Sequence, residues 1–396
     1  MLPLAGYRVL DLTHVLAGPC ATHHLRCLGA EVIKVERPGS GDFARDYDSR
    51  TQGLASHFVW VNRSKESLTL DLKHASAAAV LMQLVAGADV LGQNLAPGAA
   101  SRLGLSFEAL HEKHPALIVC DISGYGDDPA QPGPFRDKKA YDLLIQSESG
   151  FLSVTGTADD PAKAGCSIAD IAAGMYAYTN ILAVLMQRGK TGEGCRIDVS
   201  MLESMVEWMS FPLYYAFEGA APPSRAGAAH ATIYPYGPFP TGDGKTVMLG
   251  LQNEREWRSF CEQVMQQPGL ASDERFASNP KRTAARAELR ALIVDAFASM
   301  TLAQVVARLE AAGIANARMN DMHDVWAHEQ LQARQRWVDV DTPAGPVPAL
   351  LPPGAASADR VHMGAVPALG EHTESILASL GFSSEAIAAL RADKAI

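Results

Sequence analysis

The sequence lacks the features that direct a chain to a membrane or to nucleic acid. Its longest apolar stretches, such as residues 181–186, are too short to span a bilayer, and no basic region precedes an apolar run at the N-terminus. Acidic residues outnumber basic ones, 44 to 34, which gives a formal charge of −10. Because nucleic acid is bound by net basic surfaces, we expect no nucleic-acid partner and no membrane. An anionic small ligand is compatible with this charge if it meets a local basic cluster.

Cysteine is scarce and is not spaced for metal binding. The 396-residue chain has six cysteines, without CxxC or a similar arrangement. Scattered thiols are typical of reduced cytoplasmic proteins, so we expect a cytoplasmic location, no disulfide and no metal. Cys166 lies close to a motif described below, which leaves two roles open, a reactive thiol or an ordinary small loop residue.

The first strand–helix turn lacks the glycine fingerprint of dinucleotide-binding proteins. Residues 8–12 and 31–36 have strand patterns, and a helix pattern between them ends near Leu28. The turn at 14–19 reads His-Val-Leu-Ala-Gly-Pro instead of G-x-G-x-x-G, so a pyrophosphate cannot be approached closely by that backbone. NAD is therefore not expected, and Glu36 is interpreted as a solvated residue at a strand end.

The sequence does contain a repeated alternation of strands and helices. Strand patterns at 67–72, 89–91 and 117–121 are separated by helix patterns at 75–86 and 106–113. This alternation predicts an α/β fold, a Rossmann-like large domain with a parallel sheet. A stretch rich in Pro, Ala and Gly at 219–227 precedes charged amphipathic helices, which predict a smaller α+β domain. We expect the large domain at 1–220, the small domain at 225–330 and a return to the large domain at 331–396.

Basic residues recur near the predicted strand ends, where ligands bind in open α/β sheets. As a set they favour a ligand that carries phosphate, whereas each alone is more typical of a solvated surface. They are Arg37, Arg45, Arg50, Arg63, Lys65, Lys73, Arg102, Lys138 and Lys139.

The segment 165–176 places an aspartate among small residues. Ser167 is a plausible N-cap, which puts Asp170 in the first turn of a helix. Spacing alone favours a structural role, because an acidic residue there suits the helix dipole and completes a capping box. The small residues around Asp170 would also let a bulky ligand come close.

A series of short stretches, taken in order along the chain, matches one known family. They are residues 6–12, 17–19, 29–38, 62–65, 70–73, 94–98, 102–104, Asp170 and 370–373. The chain resembles the class III CoA-transferases (formyl-CoA transferase and CaiB/BaiF-like proteins) along essentially its whole length.

The resemblance implies an interlocked (intertwined) homodimer and coenzyme A, bound as an acyl-CoA substrate. It implies that Asp170 is the covalent nucleophile. The residues that it implies for CoA binding are Leu16, Ala17, Arg37, Leu70, Asp71, Leu72, Lys73, Asn94, Leu95, Ala96, Arg102 and Lys139.

Within the family, residues 40–45, 55–60, 137–142 and 231–237 most resemble the succinyl-CoA:itaconate CoA-transferases. This implies CoA transfer from succinyl-CoA to a small dicarboxylate such as itaconate, with mesaconate, citramalate, methylsuccinate and glutarate as alternatives. The loop 225–230 is similar to the family's glycine-rich loop but has fewer glycines. The candidate substrate residues are Tyr141, Arg45, Arg50, His57, Gly227 and His230.

Two relatives of the same fold are less favoured. The 2-methylacyl-CoA racemases need a histidine–aspartate pair, and Tyr141 stands where their histidine precedes the aspartate. Leu16 occupies a position where formyl-CoA transferases carry glutamine, which argues against oxalate as the acceptor.

Overall fold

The computed structural model describes residues 1–396 and begins with a β-α-β unit. Strand β1 and strand β2 pair in parallel, with Val9 opposite Val32 and Leu10 opposite Ile33. Both strands are almost entirely buried, as their apolar runs predict. The elements in chain order are β1 Arg8–Asp11, α1 Ala17–Cys27, β2 Glu31–Glu36, α2 Ser56–Asn62, β3 Glu66–Thr69, α3 Ala75–Ala86, β4 Val90–Gln93, α4 Ala99–Arg102, α5 Phe107–His111, β5 Ile118–Ser123, α6 Asp142–Glu148, α7 Phe151–Val154, α8 Ile168–Thr191, β6 Arg196–Ser200, α9 Met201–Trp208, α10 Ser210–Tyr215, β7 Tyr236–Pro240, β8 Thr246–Gly250, α11 Glu254–Ser259, α12 Asn279–Ala284, α13 Arg286–Phe297, α14 Leu302–Ala311, β9 Ala315–Arg318, α15 Met322–Trp326, α16 Glu329–Ala333, β10 Trp337–Val340, β11 Val347–Leu350, α17 Thr373–Ser379 and α18 Ser384–Ala392.

The first compact unit contains a six-stranded sheet in the order β3-β2-β1-β4-β5-β6. All neighbouring strands are parallel. The strand order reverses between β1 and β4, and such a switch point opens a crevice at the carboxyl ends of the strands where ligands bind. The fold class is thus the predicted α/β arrangement with a parallel sheet.

One face of this sheet carries the main hydrophobic core. Leu10 and Val35 from the strands pack with Leu84 of α3 and with Leu377 and Leu390 of the C-terminal helices α17 and α18. Each fully buried side chain of this kind contributes about 1.5–3 kcal/mol. The unit comprises residues 1–149, 165–209 and 329–396.

Helix α8 is long and apolar enough, by length and composition alone, to cross a membrane. This corrects the expectation that every apolar stretch of the chain is too short to span a bilayer. Here the helix buries a face of small residues, including Ala172, Ala173 and Ala177, and contacts α1 and α9. It ends at Gly192, whose φ of 78° is a left-handed conformation that glycine adopts without strain.

The second compact unit comprises residues 150–164 and 210–328. Its antiparallel sheet has the order β7-β8-β9. Phe239 of the sheet packs with Trp257, Phe276 and Phe297 in a separate core. The mixture of helices and antiparallel strands is an α+β arrangement.

Candidate active site

A cavity of about 870 Å³ lies beside the carboxyl end of β2 and the turn that follows β3. It brings together seven of the residues predicted to bind CoA, namely Arg37, Leu70, Asp71, Leu72, Lys73, Leu95 and Arg102. His14, Glu36 and His74 also line it and were not predicted. The remaining predicted residues, Leu16, Ala17, Asn94, Ala96 and Lys139, are not among those that line the cavity.

Three cationic side chains stand around this cavity, those of Arg37, Lys73 and Arg102. All three residues are exposed. The guanidinium carbon of Arg37 lies 5.7 Å from the centre of the Phe43 ring. An acidic protein therefore presents a local basic cluster that suits the phosphates of a nucleotide.

Other basic residues of the predicted set have structural partners. Lys65 is fully buried and pairs with Asp11 at 3.0 Å, and Lys138 pairs with Glu148 at 2.6 Å. Arg63 is buried and donates to the carbonyl oxygens of Trp60 and Leu350. These contacts show why charge near a strand end does not by itself identify a ligand-binding residue.

Glu36 is a correction to the sequence interpretation, because it is 1% exposed rather than solvated. Its carboxylate accepts two hydrogen bonds from the Arg45 guanidinium, both 2.8 Å long. Ser67 donates a third at 2.6 Å. Although burial opposes ionisation, these donors and the charge of Lys34 hold the pKa of Glu36 below its ordinary value.

The turn between β1 and α1 has a strained backbone. Val15 has a φ of 68°, a conformation that a β-branched residue rarely adopts. Its amide donates to Asp42 at 3.0 Å, and Asp42 pairs with the buried Lys34 at 2.8 Å. The Asn94 side chain holds His14 by two backbone hydrogen bonds of 2.9 Å across the switch point. Strain held by such contacts is typical of functional sites.

Helix α8 brings Asp170 close to the start of α1. A Cβ atom on Gly174 would lie 2.6 Å from the carbonyl oxygen of Ala17 and 3.0 Å from the Cβ of Cys20. The absence of a side chain at this position therefore allows the two helices to approach closely. Burial, with a smaller contribution from the charge of Asp170, raises the pKa of the Cys20 thiol to about 11.

The cap of helix α8 differs from the predicted one. Ser167 is the N-cap residue, but its side chain makes no capping hydrogen bond. The Asp142 carboxylate instead accepts from the amide of Ala169 at 2.8 Å and from that of Asp170 at 3.4 Å. The predicted capping-box role of Asp170 is therefore wrong, since a residue outside the helix binds these amides.

Asp170 has an unusually basic carboxyl group. Burial, followed by the negative charge of Asp142, raises its pKa from the ordinary 3.8 to about 7. A carboxylate of this kind is a stronger nucleophile than an exposed one and is partly ionised at neutral pH. Strongly perturbed pKa values of this origin mark functional sites.

Tyr47 lies near both Asp170 and Tyr141. Burial and the charges of Asp42, Asp170 and Tyr141 raise the pKa of Tyr47. Tyr47 is 52% exposed and Tyr141 69% exposed. The His57 ring meets Tyr47 edge-on with centroids 5.8 Å apart, and its Nδ1 is buried without a hydrogen-bond partner. Tyr47 was missed in the sequence because an exposed tyrosine carries no positional signal.

Comparison with known proteins identifies the family. A family model described as "CoA-transferase family III" matches residues 4–373. This chain belongs to CoA-transferase family III. It is 36% identical over 383 residues to the succinyl-CoA:glutarate CoA-transferase of Mus musculus, covering 95% of this chain and 86% of that protein. It is 32% identical to the succinyl-CoA–D-citramalate CoA-transferase of Chloroflexus aurantiacus, covering 100% and 98%.

A solved structure shares the fold. The chain is similar to a CaiB/BaiF family protein from Brucella suis, with a TM-score of 0.83, 33% identity and coverage of 96% of this chain and 99% of that one. The expected family and enzyme class are therefore confirmed, and this protein is a CoA-transferase.

The predicted substrate cations of this CoA-transferase lie in different environments. Arg45 is bound by Glu36 and stacks 3.7 Å from the centre of the Phe58 ring, so its charge is already compensated. Arg50 is exposed, and its side chain forms no ion pair. Of the two, Arg50 is the one whose charge is available to a ligand.

The two remaining candidate residues belong to the second unit. The amide of Gly227 donates to the carbonyl oxygen of Gly156 at 2.8 Å. The His230 Nδ1 accepts from the amides of Thr232 and Ile233 at 3.1 and 3.0 Å, and its ring stacks on Tyr236. The loop 225–230 is therefore held by hydrogen bonds within its own unit. Cys166, the candidate reactive thiol, is exposed and free.

Proposed function

We propose that this CoA-transferase moves CoA from succinyl-CoA to a small dicarboxylate, with Asp170 as the covalent nucleophile. The observation that carries the proposal is a carboxylate of raised pKa on a helix packed against the turn that borders the cavity of about 870 Å³. His14 lines that cavity, and Ala17, three residues later, contacts α8 near Asp170. The turn thus connects a site for the nucleotide with a site for the chemistry.

The first half of the reaction transfers CoA to the protein. An oxygen of ionised Asp170 attacks the thioester carbonyl and the carbon–sulfur bond breaks. CoA leaves as a thiolate, and a mixed anhydride of Asp170 and succinate is formed. The thiolate then attacks the Asp170 carbonyl carbon and releases succinate. The product is an aspartyl-CoA thioester, so the energy of the original thioester is conserved.

The second half returns CoA to the acceptor. A carboxylate oxygen of the acceptor attacks the aspartyl thioester and expels CoA thiolate, which forms a second anhydride. The thiolate then attacks the carbonyl of the acceptor, and Asp170 leaves as a carboxylate. No proton is consumed, and water must be excluded throughout.

A dicarboxylate acceptor is supported by the relatives named for glutarate and D-citramalate and by Tyr47, which lies near Asp170. The hydroxyls of Tyr47 and Tyr141 are available as hydrogen-bond donors to a second carboxylate. Arg50 offers a charge that has no partner in the protein. We propose itaconate as the preferred acceptor, with mesaconate, citramalate, methylsuccinate and glutarate as the alternatives.

We also propose that the active enzyme is an intertwined homodimer in the cytoplasm. Five large apolar side chains close together in sequence are 47–75% exposed in the single chain, namely Phe211, Leu213, Tyr214, Tyr215 and Phe217. Exposed apolar clusters of this size are typical of surfaces covered by another protein. Analytical ultracentrifugation tests this part, and a monomer at micromolar concentration would contradict it.

An acceptor screen tests the substrate. The protein is incubated with succinyl-CoA and each dicarboxylate in turn, and new acyl-CoA species are identified by mass spectrometry. We expect itaconyl-CoA to form fastest and the Asp170→Asn variant to form none. Turnover of glutarate or citramalate with no turnover of itaconate would overturn the preferred acceptor and leave the reaction type intact. If none of the dicarboxylates yields a new acyl-CoA, the proposed substrate class is wrong.

A further inference from the structure

The first turn of helix α8 is capped by a carboxylate from another helix. Asp142 is the first residue of α6, and its Oδ1 accepts the amides of Ala169 and Asp170. Its Oδ2 accepts from the Gln146 side-chain amide at 2.7 Å. One carboxylate thus links two helices and holds the backbone nitrogen of the nucleophile itself.

We propose that Asp142 is a positioning residue for the reaction, which fixes the backbone of Asp170 and keeps a second negative charge beside the nucleophile. This inference rests on the proposed role of Asp170. A cap from a neighbouring residue would be enough to start the helix. Ser167 occupies the N-cap position, but its side chain makes no capping hydrogen bond. The cap therefore comes from a residue whose charge also acts on the nucleophile.

The electrostatic effect of this arrangement is opposite to that of an ordinary helix start. Free first-turn amides would stabilise an ionised carboxylate and make it a weaker base. Here two of those amides are bound by Asp142, whose charge faces Asp170. The other titratable groups that interact with Asp170 are Cys20 and Tyr47, both of which are neutral at pH 7, with raised pKa values. After burial, the charge of Asp142 is what raises the pKa of Asp170.

A basic nucleophile matters because it must displace a thiolate. Nucleophilic reactivity rises with basicity, so lowering the pKa of Asp170 would slow its attack on the thioester even where more of it is ionised. Fixing the backbone of Asp170 adds orientation, and a small misplacement of a reacting atom can cost a large factor in rate.

Two substitutions separate the two effects. Asp142→Asn keeps an oxygen that can accept the amides but removes the charge, whereas Asp142→Ala removes both. The matched control is Asp321→Ala. Asp321 caps helix α15 by accepting amides at 2.7 and 2.9 Å, in the second unit and with no role in the proposed chemistry.

The measurement is the pH profile of kcat and of kcat/KM with succinyl-CoA. For Asp142→Asn we expect the acidic limb to move to lower pH, because loss of a like charge lowers the pKa of Asp170, and the plateau to fall. For Asp142→Ala we expect kcat to fall by a further factor of about 10, with KM for succinyl-CoA changed by less than about threefold. Asp321→Ala should keep the wild-type profile.

The inference is overturned if Asp142→Asn keeps the wild-type acidic limb and plateau. If Asp142→Ala does not fold, the Asn variant alone decides the matter, because it retains the cap. Failure of the proposed function has a different signature. If Asp170→Asn still transfers CoA at the wild-type rate, the nucleophile is wrong, whereas an inactive Asp170→Asn with unaffected Asp142 variants refutes only the positioning role.

Discussion

The raised pKa of Asp170, the proposed nucleophile, should make the wild-type protein less stable than a variant that lacks this charge. The perturbation is Asp170→Asn, which keeps the shape of the side chain and removes its ionisation. Burial and Asp142 raise the pKa of Asp170 from 3.8 to about 7. The pKa of this group is higher in the folded than in the unfolded state. Its contribution to the stability of the fold is therefore fully present below pH 3.8 and is lost as the pH rises to about 7.

The magnitude follows from the two values. A pKa of about 7 in the folded state in place of 3.8 lowers the free energy of unfolding at alkaline pH by at most about 4 kcal/mol. Part of the carboxylate is accessible and is screened by water, so we expect about 2 kcal/mol. The Asn variant should therefore be more stable than the wild type at about pH 8.5, and the difference should shrink as the pH falls to about 5.5.

The assay is urea denaturation of both proteins at the same concentration across this pH range, with free energies of unfolding compared at each pH. The other titrating groups are common to both proteins, so their effects cancel in the difference. A difference that does not change with pH, or a wild type that is the more stable protein at alkaline pH, would refute the electrostatic account of Asp170.

Three further substitutions test other parts of the structure. Gly174→Ala should lower activity more than about tenfold, because the new Cβ would lie 2.6 Å from a backbone carbonyl oxygen of α1. The control is Gly189→Ala in the same helix, where the new Cβ meets open space. This variant should stay active and gain up to about 1 kcal/mol of stability. Arg102→Ala should raise KM for succinyl-CoA about tenfold with little change in kcat, and a loss confined to kcat would contradict its role at the cavity. Lys34→Met should destabilise the protein by about 3–5 kcal/mol in urea titrations, because it leaves the buried Asp42 without its partner; an effect below about 1 kcal/mol would show that the pair is dispensable.

The sequence predicted the elements whose signals are local. Helix α3 begins and ends at Ala75 and Ala86 as predicted, because an apolar helical pattern is bounded by His74 and Gly87. The strands β1 and β2 were likewise found where their apolar runs lie. The order of the six strands could not be read in the same way, because it is set by contacts between elements far apart in the chain.

Elements with weak local signals were missed. The stretch 331–396 was predicted only as a return to the large domain, without strands, but it contains β11, paired with β10 in a hairpin in which Val340 lies opposite Val347. Proline is tolerated there because a two-stranded ladder leaves edge positions that need no amide donor.

The candidate site shows the same division between local and distant information. Asp170 was reached through a motif and a family resemblance, whereas the residue that caps its helix lies 28 positions earlier and has no sequence signature for this contact. Arg45 and Glu36 each suggested a ligand role or a solvated surface when taken singly. Their mutual pairing removes both from the set of free charges.

The proposed reaction requires CoA to become covalently bound to the side chain of residue 170. Incubation with succinyl-CoA, followed by hydroxylamine or borohydride trapping and peptide mass spectrometry, tests it directly. We expect a modified peptide that contains Asp170 in the wild type and no modification in the Asp170→Asn protein. Full CoA transfer by a protein that never yields a trapped adduct at this residue would contradict it.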